Sequence, residues 1–296
     1  MLSIVGGKYR VLVGEKMLEA SLRGRFKHAS KRRVLVGDVV ELATHGDHGV
    51  TIEDVAERRS VLQRRTPGKS RGLRAVAANV DQVIVVGSAR DPMWDPHMMD
   101  RFVVVAEANH LPVIVIVNKA DLVDNPDPLG QPYRMAGYNV MVSSATTGSG
   151  IDEVKGALLG KTSLLTGSTG VGKSSLLNAI QPGLGLRTAE VSRRGRVGRH
   201  TTVSVEMYPL DGGGFVVDTP GLRDVGLWAV DPPEVAAAFP EFAAFLNDCR
   251  FDDCRHLQEP GCAVKAAAAA GKISETRLDS YRKILGEAVE SSRAWE

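Results

Sequence analysis

Gly167-Ser168-Thr169-Gly170-Val171-Gly172-Lys173-Ser174-Ser175 decides how the rest of this 296-residue chain is read. It fits the pattern GxxxxGK[ST], follows the apolar pair Leu164-Leu165 and precedes a helical stretch, Ser174–Ile180. The glycines let backbone N–H groups turn inward around phosphate oxygens, and the helix N-terminus adds partial positive charge. Lys173 brings a full charge to the β and γ phosphates, and the Ser174 hydroxyl suits Mg²⁺. A strand, a phosphate loop and a helix in that order belong to an α/β domain.

On the C-terminal side, Asp218-Thr219-Pro220-Gly221 follows the apolar run Phe215–Val217. An acid at a strand end beside a phosphate loop can hold Mg²⁺ through water, and the Gly221 N–H can approach the γ-phosphate. On the N-terminal side, Asn118-Lys119-Ala120-Asp121 closes the run Val113–Val117. The Asp121 carboxylate can accept from both N1–H and the N2 amino group of guanine. Adenine has neither donor, so its binding would leave that acid unpaired. Asn118 can reach the O6/N7 edge, and the Lys119 stem can cover the base. Ser143-Ser144-Ala145 follows the next run, Val140–Val142, and would bring the Ala145 N–H to O6.

These four motifs match the guanine-nucleotide set of Ras-like GTPases, in rotated order. There the phosphate loop comes first; here residues 118–121 and 143–145 precede residues 167–175 and 218–221. A cyclic shift preserves a site when the ends of a domain lie close together. It also makes the segment after Asp218 lead straight into the C-terminal region, so nucleotide state would set the orientation or mobility of that region. Between the two phosphate-side motifs lies Arg193–Thr202, rich in arginine. Thr201 or Thr202 would complete Mg²⁺ coordination. Leu222 stands where many GTPases carry a water-orienting glutamine, which predicts slow intrinsic turnover. His200 is the candidate water-positioner, beside Lys173 as the other catalytic candidate.

From about residue 75, apolar runs at Val83–Val86, Val113–Val117, Val140–Val142, Ser163–Leu165 and Phe215–Val217 alternate with helical stretches such as Pro96–Ala108 and Ile151–Leu159. The first 68 residues differ. Tyr9–Val13, Met17–Leu22, Val34–Val36, Val39–Leu42 and Val50–Val55 read as five short strands, which predicts an OB-fold barrel. Arg64–Arg74 reads as a basic linker. The net charge of +2 is uneven: residues 1–75 carry 16 Lys/Arg against 8 Asp/Glu, net +8. Arg23, Arg25, Lys27, Lys31, Arg32 and Arg33 would line an RNA-binding face. With only Tyr9 and Phe26 as aromatics in the barrel, phosphate contact would dominate.

The remainder, from about Leu227, reads as helical. Asp231-Pro232 forms a cap, Gly271 ends Ala263–Ala270, and Ser274 caps a last helix with Leu278, Tyr281, Leu285 and Ala288 on one face. Cys249-x4-Cys254-x-His256-x5-Cys262 sets three thiolates and one imidazole within fourteen residues. Cys₃His is a structural zinc set with no open catalytic position. The odd cysteine count argues against a disulfide framework. No signal peptide opens the chain and no apolar run reaches the ~18–20 residues of a membrane span, so a cytoplasmic location is expected.

The barrel, the permuted GSTGVGKSS and DTPGL motifs, the Gly198–Thr202 segment GRHTT and the cysteine–histidine tail together resemble the RsgA (YjeQ) family of circularly permuted GTPases over nearly all of the chain. The resemblance implies a multidomain α/β protein: an OB-fold RNA-binding domain (1–68), a circularly permuted P-loop GTPase domain (69–226) and a helical zinc-binding domain (227–296). It implies hydrolysis of GTP to GDP with Mg²⁺ and one Zn²⁺. It also implies late maturation of the 30S ribosomal subunit, turnover stimulated by 30S, and contact of both end domains with 16S rRNA. A monomer with no membrane or DNA partner is expected. Gly170 stands where potassium-activated GTPases often carry asparagine. Two rivals differ in class: a GTPase serving a tRNA-modification or membrane-targeting system, and a non-catalytic RNA-binding module with GTP as a structural ligand.

Overall fold

The computed structural model describes residues 1–23, 33–45, 49–65, 73–184, 205–218 and 230–293. Six strands form the nucleotide-domain part of one large sheet: β8 (Gln82–Ser88), β9 (Val113–Asn118), β10 (Asn139–Val142), β11 (Thr162–Thr166), β12 (Glu206–Pro209) and β13 (Phe215–Asp218). Their spatial order is β10-β9-β8-β11-β13-β12, all parallel except β12. Parallel strands need both faces covered, so they read as continuous Val/Ile runs. Val83 and Val85 face a core with Phe102, Val103 and Tyr133. Ile84 and Val86 face the other core, with Val154, Leu176 and Leu177. Helices α1 (Pro96–Ala108) and α2 (Asp127–Met135) thus cover one face, and α3 (Ile151–Leu158) and α4 (Lys173–Ile180) the other.

Strand order reverses between β8 and β11, because the chain winds outward from β8 to β10 and then returns to the far side of β8. Open α/β sheets bind ligands at such a switch point, outside the carboxyl ends of the strands. The phosphate loop follows β11, and residues 118–121 and 143–145 follow β9 and β10, so permutation leaves all three at that edge.

The sheet continues without a break into the N-terminal barrel. Its strands are β1 (Ser3–Val5), β2 (Lys8–Val13), β3 (Lys16–Leu22), β4 (Val40–Thr44) and β5 (Val50–Val55). Their order is β1-β2-β3-β5-β4, with β3 and β5 parallel, the Greek-key arrangement of an OB barrel. Closure comes where the chain enters β4: Gly37 N–H donates to Met1 C=O, and the Met1 amine donates to Asp38 C=O, both at 2.9 Å. Val34–Val36, expected as a strand, makes only a single bridge, Val36 to Ala77. The chain turns at Gly37 (φ +91°), and Asp38 Oδ2 accepts from Leu35 N–H, which diverts the segment into a turn. β1 pairs with β12 through Ser3 and Glu206, and Met207 N–H donates to Leu2 C=O at 2.8 Å.

Only the ends of the expected linker Arg64–Arg74 are described: they lie in β6 (Val61–Arg65) and β7 (Leu73–Ala78), which pair antiparallel, while residues 66–72 lie outside the described set. Leu62 and Ala77, which flank that segment, are buried in the nucleotide-domain core. The Asn109 amide clasps β6: its Oδ1 accepts from Gln63 N–H at 2.9 Å, and its Nδ2 donates to Gln63 C=O at 3.3 Å.

In the C-terminal region the expected Asp231 cap and the left-handed Gly271 are present, but Asp231–Asp248 forms three short 3-10 turns rather than longer helices. Asp231 and Glu234 make a capping box at the first turn. Helices α5 (Ala263–Ala269) and α6 (Glu275–Arg293) follow. Leu278, Tyr281, Leu285 and Ala288 are all buried, as their spacing predicts, in a core with Phe239 and Phe242. Val104 of α1 enters the same core, so this domain is seated on the nucleotide domain.

Candidate functional site

The phosphate loop has the backbone its glycines require. Gly167 lies at φ +138°, and a Cβ there would meet the Val86 carbonyl oxygen at 2.1 Å. Gly172 lies at φ +94°, and its Cβ would meet Asn118 Nδ2 at 2.5 Å. Gly172 caps α4 without a side-chain hydrogen bond, which leaves the first-turn N–H groups for an anion. Lys173 Nζ donates to the Gly167 and Ser168 carbonyls at 2.7 and 2.8 Å, folding the ammonium back over the loop where phosphates would sit. Ser174 and Ser175 occupy the first turn of α4. Asp218 ends β13 in register with Leu165, two residues before Gly167. A hydroxyl and a carboxylate at this edge are hard oxygen donors, the set that Mg²⁺ takes.

The base-side motifs are bonded to one another and to the phosphate loop. Asn118 is 1% exposed; its Nδ2 donates to Val171 C=O at 2.9 Å, and its Oδ1 accepts from Ser143 Oγ at 3.1 Å. Ser144 Oγ donates to Asp121 Oδ1 at 2.5 Å, which aims the carboxylate. Ala120 N–H donates to Ser143 C=O at 3.1 Å. Lys119 adopts the left-handed region (φ 56°), and its ammonium donates to the Asp91 carbonyl. The structure therefore brings together residues 118–121, 143–145 and 167–175. Thr201, Thr202, His200, Gly221 and Leu222 lie outside the described residues.

One contributor had no sequence signal: the loop 89–95, between β8 and α1, supplies the Asp91 carbonyl to Lys119 and sets Pro92 Cδ 3.5 Å from where a Gly170 Cβ would lie. A backbone acceptor leaves no mark on residue type.

On the barrel, Arg23 is exposed but paired with Glu53, and Arg33 is exposed with its carbonyl accepting from Arg58 Nη2 at 2.6 Å. Arg25, Lys27, Lys31 and Arg32 lie outside the described residues.

A second centre lies in the C-terminal domain. The ligand atoms of Cys249, Cys254, His256 and Cys262 all fall within 4.8 Å of one another. His256 Nδ1 is 3.6 Å from Cys249 Sγ and 3.4 Å from Cys262 Sγ. The His256 backbone is left-handed (φ 58°), and its ring is buried against Phe242 and Tyr281. Burial pushes the Cys254 thiol up to about 12 and the His256 imidazole down, so proton release would accompany metal binding. The group could hold a metal ion through three thiols and one imidazole.

The RsgA GTPase family model matches residues 55–228, more than half of the chain. The chain belongs to the RsgA GTPase family. Membership brings GTP hydrolysis with it, and the protein is a GTPase. Relatives named small ribosomal subunit biogenesis GTPase RsgA include one from Gemmatimonas aurantiaca, 47% identical, with 95% of this chain aligned to 94% of the relative. Another, from Moorella thermoacetica, is 42% identical over 98% of this chain and 97% of its own. The crystal structure of YjeQ from Thermotoga maritima superposes with a TM-score of 0.77 at 35% identity, covering 97% of this chain and 96% of that one. YloQ, described as a circularly permuted GTPase, gives 0.74 at 31% identity over 98% and 93%. The rotated motif order is thus the RsgA-family arrangement.

Proposed function

We propose that this GTPase acts in the cytoplasm in late maturation of the 30S ribosomal subunit, turning over GTP slowly alone and faster on 30S. The observation that carries the reading is the joined site: a guanine-selective carboxylate, Asp121, held by hydrogen bonds in the same edge as a complete phosphate loop. The relatives' names supply the subunit. Asn118–Asp121 and Ser143–Ala145 take the base, and Gly167–Ser175 and Gly221 take the phosphates. Lys173 stabilises charge on the transferring phosphoryl group, and His200 positions water in place of the glutamine that Leu222 replaces. Ser174, Asp218 through water, and Thr201 or Thr202 hold Mg²⁺. When bound, that ion neutralises charge on the β and γ oxygens.

The domains divide near residues 68 and 226. The basic barrel face, with Arg23, Arg25, Lys27, Lys31, Arg32 and Arg33, contacts 16S rRNA phosphates, and the protein works as a monomer without membrane or DNA partners. Among the described residues, no helix is long and apolar enough to cross a membrane. The Cys₃His set holds one structural Zn²⁺. A tetrahedron with Zn–S of about 2.3 Å and Zn–N of about 2.05 Å has S···N edges of about 3.6 Å, against 3.6 and 3.4 Å here.

GTP hydrolysis measured alone and with purified 30S, 50S or tRNA tests the function. Stimulation by 30S only is expected. Stimulation by tRNA or 50S instead would move the protein to another partner, and no turnover under any condition would leave a binding module.

A further inference from the structure

The apolar face of α6 is interrupted by a cation. Arg277 shares that face with Tyr281, Ile284 and Ala288 and is only 1% exposed. Its guanidinium divides between two carboxylates. Nε and Nη2 donate to Glu241 at 2.7 and 3.0 Å, and Nη1 donates to Asp100 at 2.5 Å. Glu241 belongs to the C-terminal domain, whereas Asp100 stands on α1 of the nucleotide domain. The cation also lies over three rings: Phe239 at 4.5 Å, and Tyr133 and Tyr138 each at 5.5 Å. A buried guanidinium is held only where directional partners replace water, and its planar fork fixes their geometry. Asp100 and Tyr133 are therefore placed by the C-terminal domain, not merely covered by it.

Tyr133 passes that placement on. Its ring meets Trp94 edge-on with centroids 5.9 Å apart, and its hydroxyl donates to Pro96 C=O at 3.3 Å. Trp94 lies in the β8–α1 loop and packs so closely on Gly87 that a Cβ there would fall 2.5 Å from its ring. The same loop offers the Asp91 carbonyl to the Lys119 ammonium. Directional contacts thus run from Arg277 through Tyr133 and Trp94 to the loop that holds Lys119.

We propose that Arg277 is a positioning residue of the guanine site: acting from the C-terminal domain, it sets the β8–α1 loop and, through it, the Lys119 side chain. This rests on the reading that Lys119 covers the base. The effect falls on nucleotide retention, because Lys119 stands on the base side of the site rather than at the γ-phosphate.

Stopped-flow release of fluorescent GDP from the full-length protein tests it, with wild type, Arg277→Lys, Lys119→Met and the double variant. Lysine keeps the charge but cannot fork between Asp100 and Glu241. Arg277→Lys should release GDP faster by roughly 2- to 30-fold, the range for coupling through packed side chains. Lys119→Met should also speed release, and adding Arg277→Lys to it should change nothing further, since both act through one ammonium. A wild-type rate for Arg277→Lys, or effects that multiply, would overturn the inference. A wild-type rate for Lys119→Met would overturn the base-covering reading and this inference with it. Should Arg277→Lys not fold, Asp100→Asn removes the interdomain charge while Glu241 still pairs Arg277, and the same outcomes decide. His97→Ala breaks another α1–α6 contact, His97 Nε2 to Glu287 Oε1 at 2.7 Å, and should leave release unchanged. An equal acceleration there would mean general loosening and would also overturn the proposal.

Discussion

Asn118 Nδ2 and the Val171 carbonyl oxygen lie 2.9 Å apart although 53 residues separate them. One amide therefore joins the base half of the nucleotide site to the phosphate half. Its oxygen meanwhile takes the Ser143 hydroxyl, so the third motif hangs on the same side chain. Permutation has changed which motif is made first, but this amide still closes the site.

Asn118→Ala should accordingly cost more than one contact. It strands the Val171 carbonyl and the Ser143 hydroxyl in a buried place, at about 1–3 kcal/mol for each group. GDP affinity should fall on the order of 10- to 100-fold, and calorimetric titration of wild type against variant checks it. An unchanged affinity would mean that the amide does not organise the site.

Metal analysis should find one zinc per chain, and Cys262→Ser should lower that stoichiometry. His256 packs on Phe242 and Tyr281, which belong to the core of the C-terminal domain, so loss of the ion should loosen that core. Hydrogen exchange after chelation should show faster exchange at residues 249–262 and around Phe242, with residues 113–118 retaining protection. Unaltered exchange throughout would deny the ion a structural role.

The barrel should show a defined acid response. Hydrogen bonds from Arg23 and then Thr51 hold the Glu53 carboxyl below the ordinary glutamate value of 4.5. A carboxylate depressed in the fold stabilises it above the unfolded value and loses that contribution as pH falls through the folded value. The stability gap between wild type and Glu53→Gln should therefore be full near neutrality and close as pH drops below 4.5. Thermal melts across that interval measure it, and a gap that stays constant would remove Glu53 from the acid response.

What could be read from the sequence follows from how locally each feature is encoded. Gly167 and Gly172 are demanded by backbone approach to Val86 and Asn118, and Pro96–Ala108 by its Asp95 cap and first-turn proline, so these were legible. β1 and β12 were not, because they are only three and four residues long and pair mainly with the obvious strands beside them, β2 and β13. α2 was hidden by Pro132, which lies inside it. Arg277 is, by residue type, one more charge on a helix rich in them. Its signal was positional: it stands four residues before Tyr281, on a stripe where exposure was not available.

The Ser3–Glu206 pair has a consequence for how the protein is made. β1 leaves the synthesising ribosome well before its outer neighbour, which is encoded 203 positions later. At ordinary elongation speeds that delay is roughly 10–40 s. During it the barrel carries an open edge, blunted by being only three residues long. The joint closes after residues 118–121, 143–145 and 167–175 have all emerged. Permutation thereby orders assembly in time, and the nucleotide pocket exists in outline before the two domains are stitched together.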